Sequence, residues 1–250
     1  MKPIRQISEI AKLFHLPAAT LHYWEKEKLF HIHRNPDNLY REYTLTDIMN
    51  IWEIVLYRKL GISLTEIRTI LNTDIRGQLN TYLKQEDAVS NQIQELEHMQ
   101  KDIIRQENLA RMVMKLQHAG LHLSVPDISF CVHDPFDRAS IELSLQNPSR
   151  CCMMITEDTP RKYIHAIIPD EMAEKKELLW QLSESDTNYM EFLLRISIYE
   201  PNHNNLDNIC KKLNKMGYQT GHIIAHYLLL TGNSHERYEY YQAWIQVFPF

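Results

Sequence analysis

Residues 78–118 contain neither glycine nor proline, which predicts one long polar helix. Its seam positions are Leu79, Tyr82, Glu86, Val89, Ile93, Leu96, Gln100, Ile103, Glu107, Ala110 and Met114, at alternating spacings of three and four. The pattern lasts about five heptads and is polar only at Glu86, Gln100 and Glu107. The face is narrow and its flanks are rich in Gln, Glu and Lys. A dimerising coiled coil fits this better than a helix packed along its own domain. Periodicity leaves the direction of pairing open. Gly120 ends the run.

At 250 residues the chain has room for two domains, or for one domain and an accessory helix. Hydrophobic content of 44% and charged content of 24% are ordinary for a soluble globular protein. No apolar run approaches the roughly 18 residues of a membrane span, so no membrane partner is expected. The first residues, Met-Lys-Pro-Ile-Arg-Gln, lack the apolar core of a signal peptide. Four cysteines, two of them adjacent, make no disulfide framework, and a cytoplasmic location is expected. The net charge of −5 argues against indiscriminate coating of nucleic acid. Residues 1–76 nevertheless carry 11 Lys and Arg against 9 Asp and Glu, about +2, leaving about −7 for 77–250. That asymmetry has the sign of an N-terminal DNA reader beside a non-DNA partner domain.

The N-terminal region reads as helix, turn, helix. Ser8 suits an N-cap for a helix over residues 8–14, with Ile10, Ala11 and Phe14 on one face. His15-Leu16-Pro17 makes a tight turn, and Pro17 suits the first turn of the next helix. There Leu21 faces inward while Thr20, His22, Tyr23 and, at its margin, Trp24 face outward. Two short helices so joined can set the second into a DNA major groove, or can be a plain helical hairpin. Phe30 and Ile32 alternate with His31 and His33, then Asn35-Pro36-Asp37-Asn38 precedes Leu39-Tyr40-Arg41-Glu42-Tyr43. This is a hairpin, or wing, with Arg34, Tyr40 and Arg41 placed to meet a phosphate backbone. Capping boxes at Thr44–Asp47 and Ser63–Glu66 start two more helices, reaching about Leu60 and Leu71 on either side of Gly61. Arg58, Lys59 and Arg68 give that second turn a positive face.

Thr20-Leu21-x-Tyr23-x-Glu25, Leu39-Tyr40-Arg41-x-Tyr43 and Leu60-Gly61-Ile62-Ser63-Leu64-x-x-Ile67 occur in this order over about 65 residues. Together they resemble the DNA-binding domain of MerR-family transcriptional regulators. The resemblance implies a winged helix-turn-helix with a second helix pair at Gly61, and an antiparallel coiled coil between two subunits. It implies a homodimer that binds a palindromic promoter, untwists its overlong spacer and so works with RNA polymerase there. Candidate DNA contacts are Ser8, Ala19, Thr20, His22, Tyr23, Arg34, Tyr40, Arg41 and Arg58. One position departs from the family: His22 stands where arginine is usual. A mostly neutral imidazole makes a weaker or differently directed phosphate or guanine contact.

Beyond Leu121 the texture changes to short apolar runs. Strands are expected over 128–132, 140–145, 151–156, 163–168, 191–199, 222–230 and 240–247, with helices over 171–182 and 206–216. Strand–helix–strand–strand occurs twice, giving an α+β domain with an antiparallel sheet. The expected layout is a winged head at 1–76, a dimerisation helix at 77–119 and an α+β domain at 120–250. Tyr227-Leu228-Leu229 and the closing run Glu239-Tyr240-Tyr241-Gln242-Ala243-Trp244-Ile245-x-Val247 resemble the GyrI-like effector-binding fold. That resemblance implies a small-molecule pocket between half-repeats, lined by aromatics and attracting cations through a buried glutamate. Lining candidates are Tyr163, Trp180, Tyr189, Phe192, Tyr199, Tyr227, Tyr241 and Trp244. Gln242, two positions before Trp244, occupies the place of the acid, with Glu191 or Glu200 as alternatives.

No cofactor or metal is expected. No cysteine falls between Leu79 and Gly120, Cys151 and Cys152 alternate across a strand, and the histidines lack ligand spacing. There is no phosphate-binding glycine loop and no Gly-x-Ser-x-Gly elbow, so an enzyme is not expected. These residues therefore point to a ligand-responsive regulator of transcription, sensing a small aromatic or drug-like molecule. The alternatives are a sequestering protein whose head no longer reads DNA, and a constitutive regulator with an empty C-terminal domain.

Overall fold

The computed structural model describes residues 7–34, 41–134, 138–169, 177–183, 188–233 and 235–250. Its contacts group into two compact units, Met1–Met99 and Gln100–Phe250.

In the first unit α1 (Ile7–Leu13) and α2 (Ala18–Lys26) form the helix-turn-helix. His15 takes φ 53°, a left-handed turn in which Leu16 N–H donates to the Ala11 carbonyl at 2.9 Å. Pro17 is the N-cap of α2 rather than its first residue, and Ser8 lies inside α1. Ile10 and Leu21 are fully buried where the two helices meet. Trp24, expected at the margin of the outer face, is buried as well, because it follows Leu21 by three residues and shares its inward stripe. Strands β1 (His33–Arg34) and β2 (Arg41–Glu42) pair antiparallel, Arg34 opposite Arg41. The turn residues expected between them lie outside the described residues.

Helices α3 (Leu45–Lys59) and α4 (Leu64–Ile70) each begin with a complete capping box. Thr44 Oγ1 accepts from Asp47 N–H and Ser63 Oγ from Glu66 N–H, while both acids reach back to the cap residue. Replacing Thr44 by alanine is expected to cost about 1 kcal/mol in thermal unfolding. The bond from Ser63 holds the Glu66 carboxyl below its usual range. A depressed carboxyl stabilises the fold above its unfolded pKa and ceases to do so as pH falls through the folded value. The cost of Ser63→Ala is therefore expected to be full at neutral pH and to fade in acid. Gly61 has φ 81°, and a Cβ there would stand 2.8 Å from Gln85 Nε2 on the next helix.

That helix, α5, runs from Ile75 to Ala119. Gln78 Nε2 donates to Tyr57 Oη at 2.6 Å and Tyr82 packs on the Tyr57 ring, which seats its first turns on α3. Leu79, Val89, Ile93, Leu96, Ile103 and Met114 of the heptad seam are all exposed. A single helix has no use for such a stripe.

The second unit is built on one antiparallel sheet of eight strands. They are β3 (His122–Leu123), β4 (Phe130–His133), β5 (Cys151–Ile155), β6 (Tyr163–Ile167), β7 (Leu178–Gln181), β8 (Tyr189–Ser197), β9 (Tyr218–Gly232) and β10 (Arg237–Pro249). Their order is β3-β8-β10-β9-β5-β6-β4-β7. With α6 (Arg138–Gln146) and α7 (Leu206–Lys215), two strand–helix–strand–strand halves appear: β4-α6-β5-β6 and β8-α7-β9-β10. Each half orders its strands first, third, second, and the halves join where β9 pairs with β5. The repeat thus has approximate two-fold symmetry about the β5–β9 seam.

Two elements differ from expectation. Residues 140–145 belong to helix α6, not to a strand. The alternation Ile-Glu-Leu-Ser-Leu hides a helical spacing, with Ile141 and Leu145 four apart and Arg138 Nε bonded to Glu142 at 2.8 Å. Of the helix expected at 171–182, residues 178–181 form edge strand β7 on β4, with Trp180 opposite Cys131. Residues 171–176 lie outside the described residues.

The sheet has two covered faces. On one, α7 contributes Leu206 and Leu213 to a core with Met153, Phe192, Leu194, Ala225, Tyr241 and Ile245. On the other, Trp244, Tyr189, Trp180, Ile224 and Cys152 pack under Ile128. Farther along that second face, Leu228 and Tyr240 meet Val113 and Leu116 of α5.

Candidate functional site

Helix α2 presents Ala19, His22 and Tyr23 to solvent, with Thr20 half-buried. Glu25, one turn beyond, organises the surface. Its Oε2 accepts from Arg41 Nη2 at 3.0 Å and lies 3.8 Å from His22 Nδ1. One carboxylate therefore ties strand β2 of the wing to α2 and orients the arginine. Arg34, across from Arg41, is exposed. Arg41 Nε and Tyr43 Oη are buried without a hydrogen-bond partner among the described residues. Burial also raises the Tyr43 phenol to about 12. Tyr40 lies outside the described residues.

Arg58 is placed differently from the other candidates. Its Nη1 donates to the Ile62 carbonyl at 2.8 Å, across the Gly61 turn. Ser8 is exposed on α1. Arg68, outside the candidate set, bonds the Glu27 carbonyl and carboxylate at 3.0 and 2.9 Å, and so fixes α4 to the end of α2. The surface thus has four exposed or half-exposed residues on α2, two arginines on a hairpin, and a carboxylate pivot between them.

The effector candidates fall on both faces of the sheet, apart from Tyr199, which is exposed just beyond β8. Trp180, Tyr189, Gln242 and Trp244 lie on the face under Ile128, where their polar groups are already engaged. Trp180 Nε1 donates to His222 Nε2 at 3.0 Å, and the Tyr189 hydroxyl lies 3.1 Å from the same nitrogen. Gln242 Nε2 donates to the buried Glu191 carboxylate at 2.6 Å, and His122 Nε2 lies 3.0 Å from its other oxygen. Tyr163, Phe192 and Tyr227 lie on the α7 face. Phe192 is buried in the core there, and Tyr163 Oη accepts from Asn204.

Tyr227 and Tyr241 are the candidates that line a cleft between the half-repeats. This cleft, of about 390 Å³, lies beside α6, and both halves of the repeat contribute to it. Asp134, Cys151 and His165 come from the first half, and Tyr227, Glu239 and Tyr241 from the second. The Tyr227 and Tyr241 rings meet edge to face, 5.6 Å apart at 80°. Tyr241 Oη donates to Glu239 Oε2 at 2.8 Å. Burial, followed by the nearby Glu239 charge, raises both phenols, so both stay protonated donors. Burial likewise raises the Cys151 thiol, which leaves it a weak nucleophile. Two carboxylates and two aromatic edges suit a ligand carrying positive charge on a flat or apolar body.

Glu239, Asp134 and His165 were not candidates from the sequence. Glu239 stands two residues before Tyr241, as Gln242 stands two before Trp244. Choosing between these pairs requires knowing which face of β10 is open, and a period of two cannot say. Among the described residues no group of three or more His, Cys, Asp or Glu could hold a metal ion. Among the same residues no helix is long and apolar enough to cross a membrane.

Comparison with known proteins bears on the first of these surfaces. Residues 5–74 match the MerR HTH family regulatory protein model, and the match takes in α1 to α4 with the hairpin. The HTH-type transcriptional regulator ZntR of Escherichia coli K12 is 27% identical over 114 residues, covering 46% of this chain and 79% of the relative. The ZntR of Escherichia coli O157:H7 matches to the same extent. Among solved structures, HiNmlR, a MerR family regulator lacking the sensor domain and bound to promoter DNA, is 24% identical. It covers 40% of this chain and 79% of its own, with a TM-score of 0.32. An EcmrR–DNA complex is 19% identical, covering 98% of this chain and 100% of its own, with a TM-score of 0.35. Residues 5–74 are a MerR-type helix-turn-helix domain.

Proposed function

We propose that the chain is a homodimeric, DNA-binding transcription regulator whose C-terminal part binds a small molecule in the cleft between its two half-repeats. The observation that carries this reading is the Glu25 pivot. It fixes an exposed recognition helix against an arginine-bearing hairpin inside a MerR-matching domain. In this reading α2 enters the major groove of promoter DNA with Thr20, His22 and Tyr23, while Arg34, Tyr40 and Arg41 meet phosphates. Arg58 supports the Gly61 turn more than it touches DNA, since its guanidinium is bound to Ile62.

The open seam of α5 pairs with a second copy in an antiparallel coiled coil, so that two heads reach two half-sites and RNA polymerase acts at the same promoter. The working division is a reading head at 1–76, a dimerisation helix at 77–119 and an effector domain at 120–250. Glu239, Tyr227 and Tyr241 hold the effector by charge and aromatic contact, and a cationic aromatic compound fits that chemistry. Ligand between the half-repeats shifts the helix pair and hence the spacing of the heads.

A gel shift of the intact protein on the DNA upstream of its own gene tests the head. A specific shift is expected, weakened at least about tenfold by Arg41→Ala, since a charged hydrogen bond contributes about 1.5–3 kcal/mol. No shift at low salt removes the regulator reading and leaves a sequestering protein.

A further inference from the structure

A second groove, away from the Glu239 cleft, lies where the last turn of α5 passes the edge of β8. It measures about 350 Å³, and its apolar lining includes Leu116 of α5 together with Leu121, Phe192 and Ile209, which pack in the core under α7. Its charged lining is Arg195 and Lys212, and no carboxylate lines it. Among the described residues neither cation makes an ion pair. Arg195 instead stacks its guanidinium over the Tyr238 ring at 4.5 Å, which orients it without neutralising it. The groove and the Glu239 cleft therefore have opposite charge, Asp134 and Glu239 in the cleft and Arg195 and Lys212 in the groove.

The strand edge at the bottom of this groove is already closed. Asn205 Oδ1 accepts from Arg195 N–H at 2.9 Å and Asn205 Nδ2 donates to the Leu193 carbonyl at 2.8 Å. A peptide seeking to add a strand finds those backbone groups occupied. What remains is an apolar slot with two unpaired cations at its rim, within the size range of small-molecule sites.

We propose that this groove binds a small amphipathic monoanion, a carboxylate on an apolar body, independently of the cleft beside Glu239. The apolar body lies between α5 and α7 and the carboxylate meets Arg195 and Lys212. Such a ligand bridges the end of the long helix and the edge of the sheet.

Isothermal titration of the full chain with sodium octanoate tests this, with octylamine and 1-octanol as probes of charge. Saturable binding of octanoate is expected, and none of octylamine. R195Q/K212Q, both at exposed positions, is expected to weaken octanoate about tenfold, because two exposed charge contacts each contribute several-fold. E239Q is expected to leave octanoate binding unchanged. Absence of saturable binding overturns the proposal. So does undiminished binding in R195Q/K212Q, octanol binding as tight as octanoate, or loss of binding in E239Q.

Discussion

Substituting Ile93 by aspartate is expected to convert the protein to a monomer and to lower its affinity for a two-half-site operator by about 10²–10⁴-fold, the range by which linking two binding modules raises avidity. Ile93 lies mid-seam on α5 and is 51% exposed, with Val89 and Leu96 exposed beside it on the same stripe. In an antiparallel pair these side chains bury one another, each contributing about 1.5–3 kcal/mol. A carboxylate at the centre must be desolvated opposite leucine and isoleucine, where nothing compensates its charge. Secondary structure should survive, since the position is exposed within one chain and aspartate costs a helix only tenths of a kcal/mol. Sedimentation velocity and anisotropy on the same preparation separate the two effects. A dimer with unchanged affinity would place the interface elsewhere.

The second large effect concerns the sheet. Trp244→Ala is expected to destabilise the second unit by about 3–5 kcal/mol, the usual loss for a large aromatic deleted from a packed core. Trp244 is 1% exposed, lies among Tyr189, Ile224 and Trp180, and sends its indole N–H towards Ser124 Oγ at 3.5 Å. Tyr227→Ala, at the cleft, is expected to cost well under half as much and to act on ligand binding instead. Chemical denaturation of the two variants gives the comparison. If Trp244→Ala unfolds no more easily than Tyr227→Ala, the assignment of faces is wrong.

The two sheet substitutions mark the boundary of what one sequence discloses. The head and the long helix were readable because their signals are local. A proline opens α2, two capping boxes start α3 and α4, Gly61 turns with positive φ, and a heptad repeat interrupted only at Glu86, Gln100 and Glu107 runs along α5. Each acts within about seven residues along the chain. The sheet was readable as strands, but its faces were not. Trp244 and Tyr241 are equally aromatic and sit three apart on a strand whose residues 238–247 are all partly or fully buried. Which of them lines the cleft depends on α6 and on the pairing of β5 with β9, both set by contacts far apart in sequence. Helix α6 was misread for a related reason: a short amphipathic segment can satisfy periods of two and of 3.6 together. His22 was legible as a departure from the family, and the structure adds that it shares Glu25 with Arg41.

Anisotropy of labelled operator DNA titrated with the intact protein, repeated across a series of salt concentrations, tests the central claim most directly. The account predicts specific binding whose log K falls linearly with log salt. Each phosphate neutralised contributes about −0.9 to the slope. A dimer whose two heads each use Arg34 and Arg41 therefore gives a slope of about −4, and Arg41→Ala reduces it by about two. Binding that is absent at low salt, or insensitive to salt and to Arg41→Ala, would contradict it.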